Sequence, residues 1–450
     1  MSSWKQLIYK YIITVSGENK GGRKMLFEIL STTLFGGIGI AAYMKKGNTN
    51  NDSGKIQRII SLSGLNVKDG KSTLTTQLIR KKKHDWGMEY KYRIPLGNSF
   101  NDYLNKIDVL QDGLNNRRKR IQFTDLKSLQ FDGDIINQLR ELWDKKLTEQ
   151  KEIELDFDGL LIIRVYDKPL SKQIQWNESL LKPNTWSVPI GYTRNGDAIH
   201  HNFDKDKHLI IAGATGYGKS AILKLITTML IEQQPGNVEL SLIDLKGGSA
   251  FHRFKDCKQV KYYSRDPEEA EEVLKDIQID MNESFKNVVD KGFEDVKEAK
   301  VKRRHFIIID EAADLSEYQL AMGIVTDIAR RGRSAGYYLI FCTQYPTMQV
   351  IPPQTKRNVI ARLCYVVDTD TASRVVLDEG GADKLPDIPG RGIYKNNVKR
   401  YIVQSPFISN ETINKRIKPY IVEKKEEIQL EKTKTIESER RKNTVIFEEA

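Results

Sequence analysis

The stretch from His208 to Ser220, HLIIAGATGYGKS, constrains this chain more than any other. Its apolar run, Leu209-Ile210-Ile211-Ala212, predicts a buried strand. The strand delivers the chain into Gly213, Ala214, Thr215, Gly216, Tyr217, Gly218, Lys219 and Ser220. These fit G-x-x-x-x-G-K-[ST], the phosphate-binding P-loop, with Gly213 and Gly218 as the fixed glycines. Glycines let the backbone curl until successive N–H groups face inward at phosphate oxygens. Lys219 reaches the β- and γ-phosphates of ATP, and the Ser220 hydroxyl ligates Mg²⁺. Ala221 to Ile226 predict a helix whose positive end faces the same phosphates. A second stretch, Gly70-Lys71-Ser72-Thr73, looks similar, but Leu65 stands where the earlier glycine is required, and Gly64 is one residue too far back. It reads as a basic turn.

A nucleotide site needs a second half. His305-Phe306-Ile307-Ile308-Ile309 predicts a buried strand, and Asp310-Glu311 follow it, as in a Walker B element at the tip of a strand next door to the P-loop. Asp310 is expected to hold Mg²⁺ together with Ser220. Glu311 is expected to polarise the attacking water. A third strand, Tyr338 to Cys342, ends in Thr343-Gln344, which places Gln344 to sense the γ-phosphate.

Strands and helices alternate from Lys207 to about Gln404, which predicts an α/β fold: a P-loop NTPase, RecA-like motor domain. Leu240 to Ile243 is a strand ending in Asp244-Leu245-Lys246-Gly247-Gly248. Asp266 caps a helix from Pro267 to Phe285 whose stripe is Ala270, Val273, Leu274, Ile277, Met281 and Phe285. A further helix covers about Gln319 to Arg331, and two late strands lie near Gly392–Tyr394 and Lys399–Val403. Upstream, Trp186 to Phe203 reads as a hairpin turning at Arg194-Asn195-Gly196.

The region before the motor is mixed. Strands are expected at Tyr90–Ile94, Ile153–Phe157 and Leu160–Val165, and helices at Asn101–Gln111 and Ile135–Lys146. This predicts a smaller α+β accessory domain over 55–187, with a linker at its end, from about Pro169 to Pro189. The motor then spans 188–404 and a charged, Lys/Glu-rich tail 405–450. The N-terminal segment, 1–54, contains an apolar stretch, Leu26 to Met44, flanked by Lys20, Arg23, Lys24, Lys45 and Lys46. Its length as a helix, about 28 Å, approaches the thickness of a hydrocarbon core. A membrane-spanning helix is expected there, with the motor on the cytoplasmic side; the alternative is a cytoplasmic protein.

Charge bears on partners. The net charge of +12 suggests a polyanion, and residues 68–120 hold 13 basic against 6 acidic residues. Three widely spaced cysteines, Cys257, Cys342 and Cys364, form no zinc-ligand pattern and fit a reducing compartment. His200-His201 reads as a surface pair.

Together the stretches HLIIAGATGYGKS, LSLIDLKGG, FIIIDEAADL, RGRSAGYYLIFCTQYP and SRVVLDEGGADKL resemble the FtsK/SpoIIIE DNA translocases, especially their shorter conjugative relatives, the TcpA-type coupling proteins. The resemblance implies a ring-shaped homo-hexamer that pumps double-stranded DNA through a central channel. It implies that Arg333 is the arginine finger offered to a neighbouring subunit, with Arg374 as the second candidate. Two departures stand out. The family's Asp-Pro-Lys is Asp244-Leu245-Lys246 here, and its Thr-Gln-Arg-Pro is Thr343-Gln344-Tyr345-Pro346. No winged-helix DNA reader is visible, so loading by a protein partner, such as a relaxase or another conjugation protein at the cell membrane, is expected. The function expected is an ATP-driven translocase serving conjugative transfer. The alternatives are a plasmid or chromosome segregation pump, and a scaffold in which ATP controls DNA tethering.

Overall fold

The computed structural model describes residues 52–115 and 150–422. The expected membrane helix at 26–44 and the helix at Ile135–Lys146 lie outside them. Among the described residues no helix is long and apolar enough to cross a membrane. The chain divides into two compact units at Pro169/Leu170.

In the first unit a four-stranded antiparallel sheet has the order Gln77–His84, Gly87–Arg93, Leu161–Tyr166, Glu152–Phe157. Alternation sends Tyr90, Tyr92, Ile163 and Val165 inward, where Ile56, Ile60 and Leu110 from two helices cover them. The helix expected over Asn101–Gln111 is two, Phe100–Leu104 and Ile107–Asn115, interrupted at Asn105-Lys106. Ser99 and Asp102 form a capping box that starts the first. Gly70-Lys71 is the tip of a small hairpin between Val67–Asp69 and Ser72–Leu74.

The second unit is built on a ten-stranded sheet. Its elements are β1 (Ser187–Tyr192), β2 (Ala198–Asn202), β3 (Leu209–Ala212), α1 (Lys219–Gln233), β4 (Val238–Asp244), β5 (Val260–Ser264), α2 (Pro267–Asp290), β6 (Arg304–Asp310), α3 (Gln319–Ala335), β7 (Tyr337–Thr343), β8 (Ala361–Tyr365), α4 (Asp370–Leu377), β9 (Arg391–Asn396), β10 (Lys399–Gln404) and α5 (Asn410–Ile417). Strand order is β5-β4-β6-β7-β3-β8-β9-β10-β1-β2. The run from β5 to β8 is parallel and the rest antiparallel. Both faces of the parallel part are covered, so its strands are apolar throughout. Leu209 and Ile211 face a core shared with α1 and α5, while Ile210 and Ala212 face one shared with α2, α3 and α4.

Three expectations are revised. The segment from Leu170 is no loose linker. Ile174-Gln175 pairs in parallel with Pro406-Phe407, and the buried Arg391 guanidinium donates to the Leu170 and Ser171 carbonyls. The ATPase unit therefore starts 18 residues before position 188 (188 − 170). Residues 405–422 are also part of the fold: Ile408, Ile413 and Ile417 are buried, and Arg416 donates to both Glu232 oxygens at 2.7 and 2.8 Å. Finally, His201 is no surface residue. It is fully buried, with Nδ1 3.0 Å from the Tyr394 hydroxyl and Nε2 3.2 Å from the Lys207 carbonyl. The aromatic neighbours that bury it are Phe203 and, from a distant segment, Tyr394.

His208 is buried too, and its Nδ1 accepts from the Leu339 N–H at 2.9 Å, locking β3 to β7. Burial pushes its pKa down to about 3 and that of His201 in the same direction. Both are neutral in the folded chain and titrate near 6.5 when unfolded, so the unfolded state binds more protons below that value. Their contribution is whole above pH 6.5 and is lost as pH falls toward 3. We expect acid unfolding of the ATPase unit to steepen below pH 6.5 by up to about 1.4 kcal/mol per pH unit for each histidine. Denaturant titrations at pH 7.5, 6 and 5 check this, and His208→Gln should flatten the slope.

Candidate nucleotide site

The site lies at the carboxyl ends of β3, β4, β6 and β7, where ligands of open parallel sheets bind. The fully buried β3 fixes where the loop begins. Gly213 follows at φ +149°, and a Cβ there would sit 2.7 Å from Cβ of Tyr365 on β8, so only glycine fits. The Ala214 N–H donates to the Val366 carbonyl at 2.7 Å, stitching the loop to the same neighbour. Gly218, at φ +102°, is the residue before α1 and lies against Gly390. Gly390 N–H donates to the Tyr217 carbonyl at 3.0 Å, and the Tyr217 hydroxyl donates to Asp387 at 2.9 Å. Thr215 and Gly216, between these two anchored ends, are exposed.

Lys219 and Ser220 open α1. The Lys219 ammonium donates to the Ala214 carbonyl at 2.7 Å, which holds it across the loop, and burial lowers its pKa. Ser220 donates to Asp310 Oδ2 at 3.0 Å. Thus the structure joins two motif halves that are far apart in sequence, with one difference in layout. The strand carrying Asp310 is not beside the P-loop strand. β7 runs between them, pairing with Ala212 through Thr343 and with Ile309 through Phe341. The span is closed by α1, whose first turn carries Ser220 over to the tip of β6.

Asp310 is fully buried, and burial is the main cause of its raised pKa. Its Oδ1 has no hydrogen-bond partner among the described residues. A hydroxyl and a buried carboxylate with an uncommitted oxygen form a hard-oxygen donor set that fits Mg²⁺. Glu311 adopts a left-handed backbone, φ +65°, which costs energy for a non-glycine residue and turns its side chain off the strand axis. Oε1 accepts from Thr343 Oγ1 at 3.2 Å and from the Gln344 N–H at 3.0 Å. Oε2 accepts from Gln344 Nε2 at 2.5 Å and pairs with Lys246 Nζ at 3.2 Å. Thr215 donates to Gln344 Oε1, so Gln344 links the P-loop to Glu311.

Lys246 escapes a reading of the motifs, although the Asp-Leu-Lys after an apolar strand is visible. Its partner cannot be read before the strand order is known. Asp244, on the same turn, is structural through Oδ2, which takes the Ala250 and Phe251 N–H groups at 2.7 and 2.9 Å. Arg333 is not brought to the phosphate loop of its own subunit. It lies on the last turn of α3, near the amino end of β7, with its guanidinium 3.7 Å from Asp295. Arg374 is on α4, exposed and paired with Asp370 at 2.6 Å.

We expect Lys219→Ala to lower ATP turnover at least roughly 10²-fold, as loss of a charged stabilising donor does, with an unchanged circular-dichroism melt. A phosphate-release assay on a variant that turns over normally would remove Lys219 from the machinery.

The FtsK/SpoIIIE family model matches residues 170–306, starting where the second unit starts. Among curated proteins, the DNA translocase FtsK of Halalkalibacterium halodurans is 29% identical over 289 residues, covering 57% of this chain and 35% of the relative. The DNA translocase FtsK of Streptococcus pyogenes is 29% identical over 265 residues, covering 53% of this chain and 32% of the relative. The chain therefore spans about a third of the length of these relatives. Among solved structures, the pCW3 conjugation coupling protein TcpA, determined as a monomer with ATPgS, aligns with a TM-score of 0.54 at 20% identity, over 82% of this chain and 99% of that one. EssC (ATPases 2 and 3) of Geobacillus thermodenitrificans aligns with a TM-score of 0.50 at 18% identity, over 56% and 51%. A curled glycine loop, a buried Asp-Glu pair and a bridging glutamine at one sheet edge make this unit a P-loop ATPase, and its segment 170–306 is similar to the FtsK/SpoIIIE family.

Proposed function

We propose that this chain is an ATP-driven double-stranded DNA translocase that works as a homo-hexamer, tethered to the cell membrane, and couples DNA to conjugative transfer. The observation that carries the reading is the hydrogen bond from Ser220 to Asp310, which assembles a hydrolytic site from the two motif halves. ATP occupies the P-loop, Ser220 and Asp310 hold Mg²⁺, and Glu311 accepts the proton of the attacking water. Such chemistry is mainly positioning and charge stabilisation. Transfer is preferred over segregation because the fold extends along nearly all of a conjugation coupling protein. A relaxase or another conjugation protein would then deliver the DNA.

The first unit supports the DNA part. Its edge strand presents Arg80, Lys81, Lys82 and Lys83, all exposed. Arg80 stands directly opposite Lys91, a like-charge pair that costs stability in a sheet. No ion pair among the described residues neutralises these four. Basic edges also discourage sheet aggregation, but a cross-strand repulsion adds nothing to that purpose and suits a polyanion.

Steady-state ATPase with and without duplex DNA over a salt series tests the reading. We expect stimulation by DNA of any sequence, falling steeply with salt, and displacement of a triplex strand from linear duplex. Stimulation without displacement would favour the tethering scaffold. Replacing Arg80, Lys81, Lys82 and Lys83 by Ala should reduce the slope of log affinity against log salt by about 0.9 for each phosphate that is no longer neutralised.

Arg333 is proposed to act in trans because it lies near the amino end of β7, whereas the P-loop follows the carboxyl end of β3. Arg333→Ala should bind ATP without turning it over, and mixing with Glu311→Ala subunits should restore part of the activity. No rescue would shift the role to Arg374.

A further inference from the structure

We propose that Lys246 is a latch on the general base: it holds Glu311 in a fully engaged state, and turnover requires that ion pair to open. The inference rests on the ATPase reading and adds a regulatory element to the same site. A carboxylate offers about four acceptor positions on its two oxygens. In Glu311 three are taken by hydrogen bonds from Thr343 Oγ1, the Gln344 N–H and Gln344 Nε2, and the Lys246 ammonium lies 3.2 Å from Oε2 as an ion pair. The remaining position is on Oε2, and a cation beside it disfavours taking up a proton there. In hydrolysis the water oxygen bonds to the γ-phosphorus, the bond from that phosphorus to ADP breaks, and a water proton passes to the base. The ammonium must therefore move off Oε2 first.

The supports of the four differ. Thr343 and the Gln344 N–H are fixed by β7, whose residues are all buried. The Gln344 side chain is tied at its other end to Thr215. Lys246 alone sits on a turn, between Leu245 and two glycines with positive φ, Gly247 at +72° and Gly248 at +86°. The turn is pinned at both ends. Leu245 N–H donates to the Asp310 carbonyl at 3.2 Å, and Asp244 holds Gly248, Ala250 and Phe251. The lysine stem between those pins is half-buried and long enough to swing. Among the described residues its ammonium forms an ion pair with Glu311 and no second one. Gly247 and Ser249, beside it, are exposed. A contact made on this turn, by DNA or a neighbouring subunit, would draw Lys246 away and free Oε2. Lys246 is thus a positioning residue that acts through Glu311.

The test is a double-mutant cycle on the full chain, read by equilibrium binding of a fluorescent non-hydrolysable ATP analogue and by turnover. Lys246→Met leaves a Glu311 carboxylate uncompensated beside the phosphates. It should weaken analogue binding by about tenfold in the wild-type background and by under about twofold with Glu311→Gln, as coupled neighbours do. Turnover without DNA should rise at least about threefold and the stimulation by DNA should shrink, while Lys246→Arg restores both. An equal loss of binding in both backgrounds means Lys246 serves the phosphates directly and overturns the latch alone. A fall in turnover with and without DNA alike also overturns it. A wild-type chain that binds no analogue overturns the ATPase reading and the latch with it.

Discussion

One hydrogen bond, from the first turn of α1 to the tip of β6, ties this site together. Ser220 and Asp310 are 90 residues apart in sequence, and the strands that lead to them do not pair with each other. The bond forms because β3, β7 and β6 are parallel and end at one edge, and because α1 lies across them. Each of these conditions comes from burial. β3, β6 and β7 are buried along their whole length, so both sheet faces must be covered, and parallel connections place helices there. The polar chemistry is confined to the strand ends because that is where the apolar runs stop.

Strain and charge are concentrated at the same edge. Glu311 holds a left-handed backbone, Asp310 keeps a buried carboxylate oxygen without a donor among the described residues, and Lys219 is an ammonium with little contact with water. Each is unfavourable taken alone. They persist because the surrounding sheet over-determines their positions, and they leave a pocket whose charges gain most when a triphosphate and its counter-ion are added.

Much of this is legible in the residues. Leu209-Ile210-Ile211-Ala212 and His305 to Ile309 announce buried strands, and the glycines and acids after them follow known chemistry. The stripe on α2 is readable because 3.6-residue periodicity is a local property; its residues Ala270, Leu274, Ile277 and Met281 are buried as expected. What escapes is set by long-range pairing. The insertion of β7 between β3 and β6 has no local signature, so the sequence puts Asp310 one strand too near. Lys246 looks like any lysine in a turn until the register of β4 against β6, Asp244 opposite Asp310, puts it beside Glu311. His201 looks like a surface residue because most of its neighbours in sequence are polar, while Tyr394 arrives from elsewhere to bury it. The polar, proline-containing stretch from Leu170 resembles a linker because its strand partner, Pro406-Phe407, comes more than two hundred residues later.

The helix after β10 has its own consequence. α1 has 15 residues, a rod of about 22 Å. Its front end grips the phosphate loop, and its rear end is clasped by α5, where Arg416 holds Glu232 and stacks over Trp176 at 4.4 Å. Whatever tugs on the segment beyond Gln404, whether a fused reporter, a protease cut or a docked protein, therefore pulls on the far end of a rigid lever whose other end is the catalytic loop.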